Sequence, residues 1–293
     1  MNALQHTVLA TLFVAAAAFA IAQAQESPNF VTYDHHLEEK GDLEIAISST
    51  VGFPRQSQPG FVAPYAELEY GATDWWTSAL YLEGLSRERD STIFTGWRFE
   101  TRIRPLRSEH RINPILYVEF SNINEASRMQ KEVVGHAPIF DEPNSELRRA
   151  HARELEAKLI LGSTTGDWTI SENLIVEKNL TADEGWEFGY AFGVARPLAT
   201  LVSVQNCRLC RRNIIIGTEL YGGLGSTQQF GFRDTAHYLA PTLSVQVTAN
   251  STFRVSPGIG LTHGSEPVLL RLGFSYEIPD LGQRLARLFT GRR

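Results

Sequence analysis

The feature that most constrains this chain is a hydrophobic pattern with a period of two, repeated in segment after segment from residue 42 onward. The stretch VLLRLGFSYEI at 268–278 shows it, and so does WEFGYAFGVA at 186–195. Successive side chains of a β-strand point to opposite faces, so each such segment predicts a strand with one apolar face. The segments are about 9 to 13 residues long, the length of a tilted strand that crosses a bilayer.

Turn-rich breaks divide this pattern into an even number of predicted strands, as a single-chain bacterial barrel requires. We therefore predict an all-β fold, a transmembrane antiparallel up-and-down β-barrel of about twelve strands. The predicted strands are 42–53, 61–71, 75–86, 92–104, 112–122, 153–163, 167–178, 186–196, 213–223, 237–248, 251–262 and 266–278.

A soluble β-sandwich is the alternative, because its strands alternate as well. Two features favour the barrel. The polar faces are rich in glycine and in ionisable residues, which suits a wet lumen. Aromatic residues stand where the interfacial girdles of a barrel are expected. These are Phe53, Phe61, Trp75, Trp76, Trp168, Trp186 and Tyr238.

The N-terminus predicts export. Residues 8–21 form an apolar run that is shorter than the roughly 20 residues of a membrane anchor. The sequence Ala22-Gln23-Ala24 follows as a small-x-small cleavage site, although the preceding residues contain no Lys or Arg. We predict a signal peptide at 1–24, an N-terminal periplasmic segment at 25–41, an outer-membrane barrel at 42–278 and a basic C-terminal tail at 279–293.

The formal net charge of −6 argues against a nucleic-acid partner, which would need a basic face. The expected partners are the lipid bilayer, a small-molecule solute and the outer-membrane assembly machinery. The pattern does not determine an oligomeric state. No cofactor is expected.

Charged residues on the polar faces are the candidate functional set. Either they orient a passing solute, or they pair across neighbouring strands and fill a narrow barrel. The predicted lumen-lining charges are Glu67, Glu69, Glu83, Arg98, Glu100, Arg102, Arg104, Glu119, Lys158, Glu219, Arg254 and Arg271, and the same frame turns Glu44, Glu154, Glu156, Glu177, Glu187 and Glu277 inward.

Two strands test this assignment of inward and outward faces. In the strand at 93–104 the period places Arg98 and Arg102 inside, together with Phe94, and it places Trp97 and Ile93 outside. In the strand at 167–178 the frame puts Glu172 against lipid, where a charge costs about 2 kcal/mol. A bulge or a misplaced strand would remove that conflict.

The loop at 123–152 is the largest insertion. It either folds into the lumen or over its mouth, or it is an exposed flexible loop, and a short helix is predicted at 145–157. The basic tail at 279–293 is either an amphipathic helix, on the membrane surface or in the periplasmic mouth, or a disordered end.

Cys207 and Cys210 form a C-x-x-C motif, and Arg211 follows where a haem attachment site needs histidine. In an oxidising compartment the pair predicts a local disulfide on the periplasmic side. His35 and His36 stand beside acidic residues, a pattern more typical of a solvated linker than of a metal site. No Ser–His–acid context is evident, so we predict neither a metal site nor an enzyme.

The ending TFRVSPGIGLTHGSEPVLLRLGFSYEIP at 252–279 resembles the last hairpin of bacterial outer-membrane proteins of the putative transporter kind, including the phenol-degradation-pathway barrels. The stretch at 67–74, ELEYGATD, resembles their second strand and first turn. The resemblance implies architecture and brings no catalytic residues.

The function expected is a passive outer-membrane channel or transporter for small solutes, with aromatic or poorly polar compounds as candidates. The alternatives are a closed structural barrel that displays its loops and, third, an outer-membrane hydrolase.

Overall fold

The computed structural model describes residues 27–53, 59–129, 134–135, 142–198 and 214–284. Within these ranges twelve antiparallel strands close into one barrel, and β1 completes the ring by pairing with β12. The predicted fold class is confirmed, and the observed strand bounds lie within three residues of the predicted ones. The strands are β1 (Leu43–Phe53), β2 (Phe61–Thr73), β3 (Trp76–Arg87), β4 (Thr92–Ile103), β5 (Asn113–Asn124), β6 (His151–Thr165), β7 (Trp168–Asn179), β8 (Glu187–Pro197), β9 (Ile214–Ser226), β10 (His237–Thr248), β11 (Ser251–Gly260) and β12 (Val268–Ile278).

We call the end of the barrel at which β1 begins the lower rim and the end at which β1 finishes the upper rim. The outer face is apolar: Ile47 is 64% exposed and Leu174 is 47% exposed. The inner face carries buried polar groups, such as Glu100 and Asn173. No helix in the described part of the chain is long and apolar enough to cross a membrane.

Five of the seven predicted girdle residues are exposed: Phe53, Trp75, Trp76, Trp168 and Trp186. The prediction was wrong for Phe61 and Tyr238, which are buried on the inner side in an apolar cluster near the upper rim. Both stand at strand ends, and the position along a strand does not by itself say which face a residue is on.

A bulge in β4 reverses, in the upper part of that strand, which side chains face the lumen. The pairing of β3 with β4 shifts at Glu83 and Gly84, and Gly96 has a φ of 146° that favours glycine. Below the bulge the charges face inward as predicted. Above it the prediction was wrong, because Phe94 is 62% exposed while Thr95 is buried.

Glu172 faces outward in an uninterrupted register, between Leu161 of β6 and Phe192 of β8. The side chain is exposed on the outer wall. The expected bulge or misplaced strand is therefore wrong, and a carboxylate does stand on the apolar face of β7.

The loop between β5 and β6 contains a 3-10 turn at Glu125–Met129 and a single helical turn at Asn144–Leu147. The helix predicted at 145–157 is wrong, because β6 already begins at His151. Residues of β6 pair with β5 and β7 along the strand, and these hydrogen bonds favour a strand over a helix.

Candidate functional site in the barrel lumen

The structure places the predicted lumen charges on the inner side of the barrel. Glu83, Glu100, Glu119 and Glu219 are almost completely shielded from solvent. Arg104 stands just beyond β4, where its guanidinium donates a 3.0 Å hydrogen bond to the carbonyl oxygen of His35. The others on the inner side are Glu67, Glu69, Arg98, Arg102, Lys158, Arg254 and Arg271.

Arg98 is held by acids from two neighbouring strands. Its Nε donates to Glu83 and its Nη1 donates to Glu119 at 2.7 Å. The guanidinium also lies over the ring of Tyr81, 4.3 Å from the centroid. Ser127 donates to the second oxygen of Glu83 at 2.5 Å. Ser127 belongs to the loop between β5 and β6, which we call the upper loop because it lies at the upper rim. A buried ion pair of this kind is tolerated because each charge has several hydrogen-bond partners.

Arg102 forms a second group nearer the lower rim. It makes ion pairs with Glu69 and with Glu100, the latter at 3.0 Å. Tyr33 lies under its guanidinium, 5.1 Å away, and the Tyr33 hydroxyl donates to Glu100 at 2.9 Å. Because Tyr33 precedes the first strand, this network joins the barrel wall to the N-terminal segment.

The N-terminal segment, residues 27–41, enters the barrel from the lower rim, where Glu39 and Lys40 are still exposed. Glu219 of β9 accepts hydrogen bonds from three consecutive backbone N–H groups: Phe30 at 3.0 Å, Val31 at 2.8 Å and Thr32 at 2.7 Å. Successive backbone N–H groups of this kind form an anion-binding nest. Here the bound anion is a carboxylate of the barrel wall, and it anchors the segment across the lumen.

Asn173 of β7 makes a second contact with the backbone of the segment. Its side-chain oxygen accepts from the N–H of Tyr33, and its side-chain N–H donates to the carbonyl of Tyr33, both at 2.8 Å. The amide therefore binds the segment as a neighbouring strand would. Neither Glu219 nor Asn173 contacts a side chain of the segment through these bonds.

Inner-face glycines make room for the segment. A Cβ added to Gly162 would overlap His35, and one added to Gly193 would overlap Asn29 and approach Thr32. The glycine-rich inner face, interpreted above as the sign of a wet lumen, thus accommodates the chain's own backbone and side chains at these positions.

The lower part of the segment carries the adjacent histidines. The ring of His36 contacts Asp34 at 3.1 Å, and that of His35 contacts Glu109 at 3.0 Å. The hydrogen bond to Asp34 raises the pKa of His36 against the opposing effect of burial. Burial works to raise the pKa of Asp34, but the hydrogen bonds from His36 outweigh it and lower that pKa. Burial and the neighbouring charge of His36 lower the pKa of His35.

These histidines therefore serve as partners of single carboxylates. The group whose ligand atoms do converge, among the described residues, is Glu38, Asp42 and Glu277. Asp42 accepts the backbone N–H of Asp280 at 2.9 Å. That bond ties the start of the C-terminal tail to the lower rim, and the rest of the tail, 285–293, lies outside the described residues.

A cavity of about 230 Å³ lies between the N-terminal segment and the wall. Acids, bases and three tyrosines face it. They include Tyr33, Tyr65, Tyr81, Glu44, Glu67, Glu69, Glu156, Arg98, Arg102, Lys158, Arg254 and Arg271. A space of this size holds roughly seven waters, so it accommodates a small molecule.

The upper loop closes the barrel at the upper rim. Ala126 and Leu147 of that loop are buried in an apolar cluster with Phe61, Leu85 and Tyr221 of the strands. The described part of the 123–152 loop therefore folds over the mouth, one of the two outcomes expected from the sequence. Val31 of the N-terminal segment packs against the same cluster from below.

His237, at the start of β10, was considered as part of a catalytic group. His237 contacts Thr235 at 2.8 Å and Tyr190 at 3.0 Å, without an acid among these partners. The described contacts therefore contain no Ser–His–acid arrangement around it. Cys207 and Cys210 lie outside the described residues, as do residues 1–24, where a signal peptide is predicted. The disulfide stays a prediction, and mass spectrometry of unreduced protein that found two free thiols would refute it.

Sequence reasoning missed the entry of residues 27–41 into the lumen and the role of Asn173. The inner-face glycines Gly162, Gly193 and Gly273 were a signal for this entry. A glycine inside a strand often marks a place where another part of the chain or a ligand comes close to the sheet.

No protein-family model and no curated protein matches the sequence. Solved structures do match. An outer membrane channel from Pseudomonas putida F1 aligns over 85% of this chain and 100% of that one, at 10% identity and a TM-score of 0.54. A KdgM porin in complex with disordered oligogalacturonate covers 80% and 98%, at 8% identity and 0.49. A NanC porin covers 80% and 100%, at 11% identity and 0.47.

This chain has the fold of outer-membrane β-barrel channels. At this level of identity the likeness concerns the fold alone, and the contents of the lumen have to be interpreted from the chain's own residues.

Proposed function

We propose that the protein is a passive outer-membrane channel for small solutes, exported by its N-terminal signal peptide. The observation that carries the proposal is the combination of an apolar outer wall with a charged lumen that encloses a cavity of about 230 Å³. An apolar outer wall suits a lipid environment, and polar groups inside a closed barrel suit the passage of solutes.

The cavity favours a small solute over a polymer. Tyr33, Tyr65 and Tyr81 provide ring surface beside the charged groups, which supports aromatic compounds as candidates. The solute passes when the N-terminal segment moves, because that segment forms one side of the cavity and crosses the lumen.

A closed structural barrel is the second candidate, and one observation favours it. The N-terminal segment and the upper loop both occupy the barrel, from Tyr33 at mid-height to Leu147 at the upper rim. A barrel that only displays its loops would have the same contents, so the two functions differ in whether the segment moves.

A reversible cross-link separates the two. The hydroxyl of Thr242 on β10 lies 3.5 Å from the side-chain oxygen of Asn29, so cysteines at both positions would join the segment to the wall. We expect planar-bilayer conductance from the wild-type protein, a strong decrease in the oxidised T242C/N29C variant, and recovery when the disulfide is reduced. The variant is made in a Cys207→Ser, Cys210→Ser background.

The single-cysteine variants are the controls, since they should conduct equally with and without reductant. If the wild-type and reduced proteins show no conductance, and if deletion causes no solute-uptake defect, the channel proposal is wrong and the closed barrel stands.

A further inference from the structure

A group of basic residues at the upper rim has no role in the passage of a solute through the lumen. Residues 148–153 read RRAHAR, with three arginines and a histidine and no acid. They connect the helical turn at Asn144–Leu147 to the start of β6. All four basic side chains are exposed, and we call them the basic rim patch: Arg148, Arg149, His151 and Arg153.

Strand β6 turns part of this patch to the outside of the barrel. Exposed and buried residues alternate along the strand, so His151 and Arg153 share the outer face with Leu155, while Ala152 between them is buried. Leu155 is 36% exposed and belongs to the apolar wall. Two residues of a strand span about 7 Å. Arg153 therefore stands at the height where the outer wall changes from apolar to polar.

The neighbouring strands change at the same height. Asn122 of β5 pairs with Arg153, and Lys178 of β7 pairs with Leu155. Trp186, which immediately precedes β8 at this rim, is 45% exposed. Exposed tryptophans are typical of the head-group level of a bilayer, and long basic side chains near it extend toward the interface. The patch therefore lies where lipid head groups would surround the barrel.

The backbone is held on both sides of the arginines. Leu147 is buried in the apolar cluster, and the side-chain amide of Asn144 donates to the carbonyl oxygen of Ser91 at 2.7 Å. The carbonyl oxygen of Ala150 accepts the backbone N–H of Glu125 at 3.2 Å, and β6 pairs with β5 from its first residue. Because the backbone of the patch is already in place, less entropy is lost when a ligand binds.

The arginines of the patch differ from those inside the barrel, which pair with glutamates of the wall. In the part of the chain that the structure describes, no ion pair includes Arg148, Arg149 or Arg153. The flanking acids along the chain are Glu146, in the helical turn, and Glu154, which faces the lumen. The patch thus presents positive charge to its surroundings.

We propose that the basic rim patch binds the phosphate groups of an anionic lipid in the leaflet at the upper rim. The guanidinium fork matches phosphate oxygens with paired, charge-assisted hydrogen bonds. Leu155 and Leu159, both exposed on the outer face of β6, offer apolar surface for the acyl chains directly below. The inference goes beyond the proposed channel, since it applies equally to a barrel that conducts and to one that is closed.

A lipid fits this surface better than a free phosphate ion does. The ion would contact the arginines alone, whereas a lipid would also cover the apolar face that continues from Arg153 down to Leu155 and Leu159. Burial of that face adds to the attraction between the charges. We therefore expect the head group and the acyl chains to be recognised together.

The test is the binding of defined lipids to the full mature chain in a non-ionic detergent, measured by native mass spectrometry. The probes are lipid A, whose sugars carry phosphates, and phosphatidylcholine, whose phosphate is balanced by its own ammonium group. We expect lipid A to bind at least about tenfold more tightly than phosphatidylcholine, because hydrogen bonds between charged groups are the stronger ones.

The double variant Arg149→Gln, Arg153→Gln should lower that preference by at least about fivefold. The matched control is Arg89→Gln with Arg233→Gln, which removes the same charge from two arginines of the same rim, 90% and 86% exposed, and should leave the preference unchanged. Arg149→Lys with Arg153→Lys should keep part of it, because lysine retains the charge and loses the fork.

A second double variant, Arg148→Gln with Arg153→Gln, should reproduce the loss and guards against an assembly defect in the first. Inorganic phosphate should not displace bound lipid A, and displacement would assign the patch to a free ion. Equal binding of the two lipids, or a loss in the control as large as in the first variant, would mean that the rim attracts anions without a specific site. Each of these three results overturns the proposal.

Discussion

The N-terminal segment and the upper loop both close the barrel, but they are held by different forces. The segment is held through its backbone, by the carboxylate of Glu219 and the amide of Asn173. The upper loop also makes hydrogen bonds, from Ser127 to Glu83 and from the backbone N–H of Asn144 to Asp90, but in addition it buries Ala126 and Leu147 against the strands. Apart from Pro28, no apolar side chain in the described part of the segment is buried to that degree, so packing contributes more to the upper closure.

This difference determines what can open each end. Backbone N–H groups released from Glu219 find other partners in water or in an arriving polar solute, which replaces part of the free energy that they lose. Leu147 has no such substitute, because its removal from the cluster exposes apolar surface. We therefore expect the lower closure to respond to polar solutes and the upper one to remain in place.

The largest effect is expected when Glu219 is replaced by alanine. Three backbone N–H groups lose their acceptor, and hydrogen bonds to a charged group contribute about 1.5–3 kcal/mol each, so the segment should lose at least about 3 kcal/mol of local stability. Hydrogen exchange of peptides covering 27–37 should become much faster, and channel open time should increase.

Thr218→Ala, on the same strand but the outer side, is its control and should change neither quantity. Unchanged exchange in Glu219→Ala would mean that the wall does not hold the segment by this carboxylate.

The replacement Leu147→Ala tests the other closure. Truncation of a buried leucine costs about 2–3 kcal/mol when part of the site can relax. Exchange at 142–150 should accelerate while exchange at 27–37 stays as in the wild type. If both regions accelerate together, the two closures are coupled and the contrast between them fails.

A smaller effect is expected from Gly193→Ala, which adds a methyl group where Asn29 lies. Overpacking of this kind costs about 1–3 kcal/mol, and it should shift the upper part of the segment away from β8. Adding Gly193→Ala to the T242C/N29C pair should therefore slow formation of its disulfide. Gly282→Ala meets nothing within 4 Å and is the control.

The smallest effect is a dependence on pH at the base of the segment. The raised pKa of His36 means that its attraction to Asp34 is fully present below the ordinary histidine pKa and is lost as the pH rises through the raised value. The lowered pKa of His35 acts in the opposite sense, because burial and the neighbouring charge of His36 favour its neutral ring.

Because His36 is partly exposed, we expect the protection of 33–37, taken relative to the intrinsic exchange rate at each pH, to fall by less than about threefold from pH 6 to pH 8. His36→Gln should remove most of that dependence. A dependence that survives the substitution would assign it to another group.

The fold could be predicted from the sequence because its evidence is local. A period of two identifies a strand and its faces within ten residues, and this is why strand number, bounds and most inward charges agree with the structure. The exceptions are also local in cause. At Gly96 one inserted residue reverses the faces of β4, so Phe94 points outward, and nothing in the alternation marks where that happens.

The contacts inside the lumen could not be predicted from the sequence alone. The bond between Thr32 and Glu219 joins residues 187 positions apart, and the pairing of Glu119 with Glu156 depends on how β5 and β6 are set against each other. By itself the sequence determined the strands, the faces of most of them and the kinds of charge turned inward. The tertiary structure decided what those charges face, because strand register and the entry of residues 27–41 depend on closing the ring, a contact that no local pattern contains.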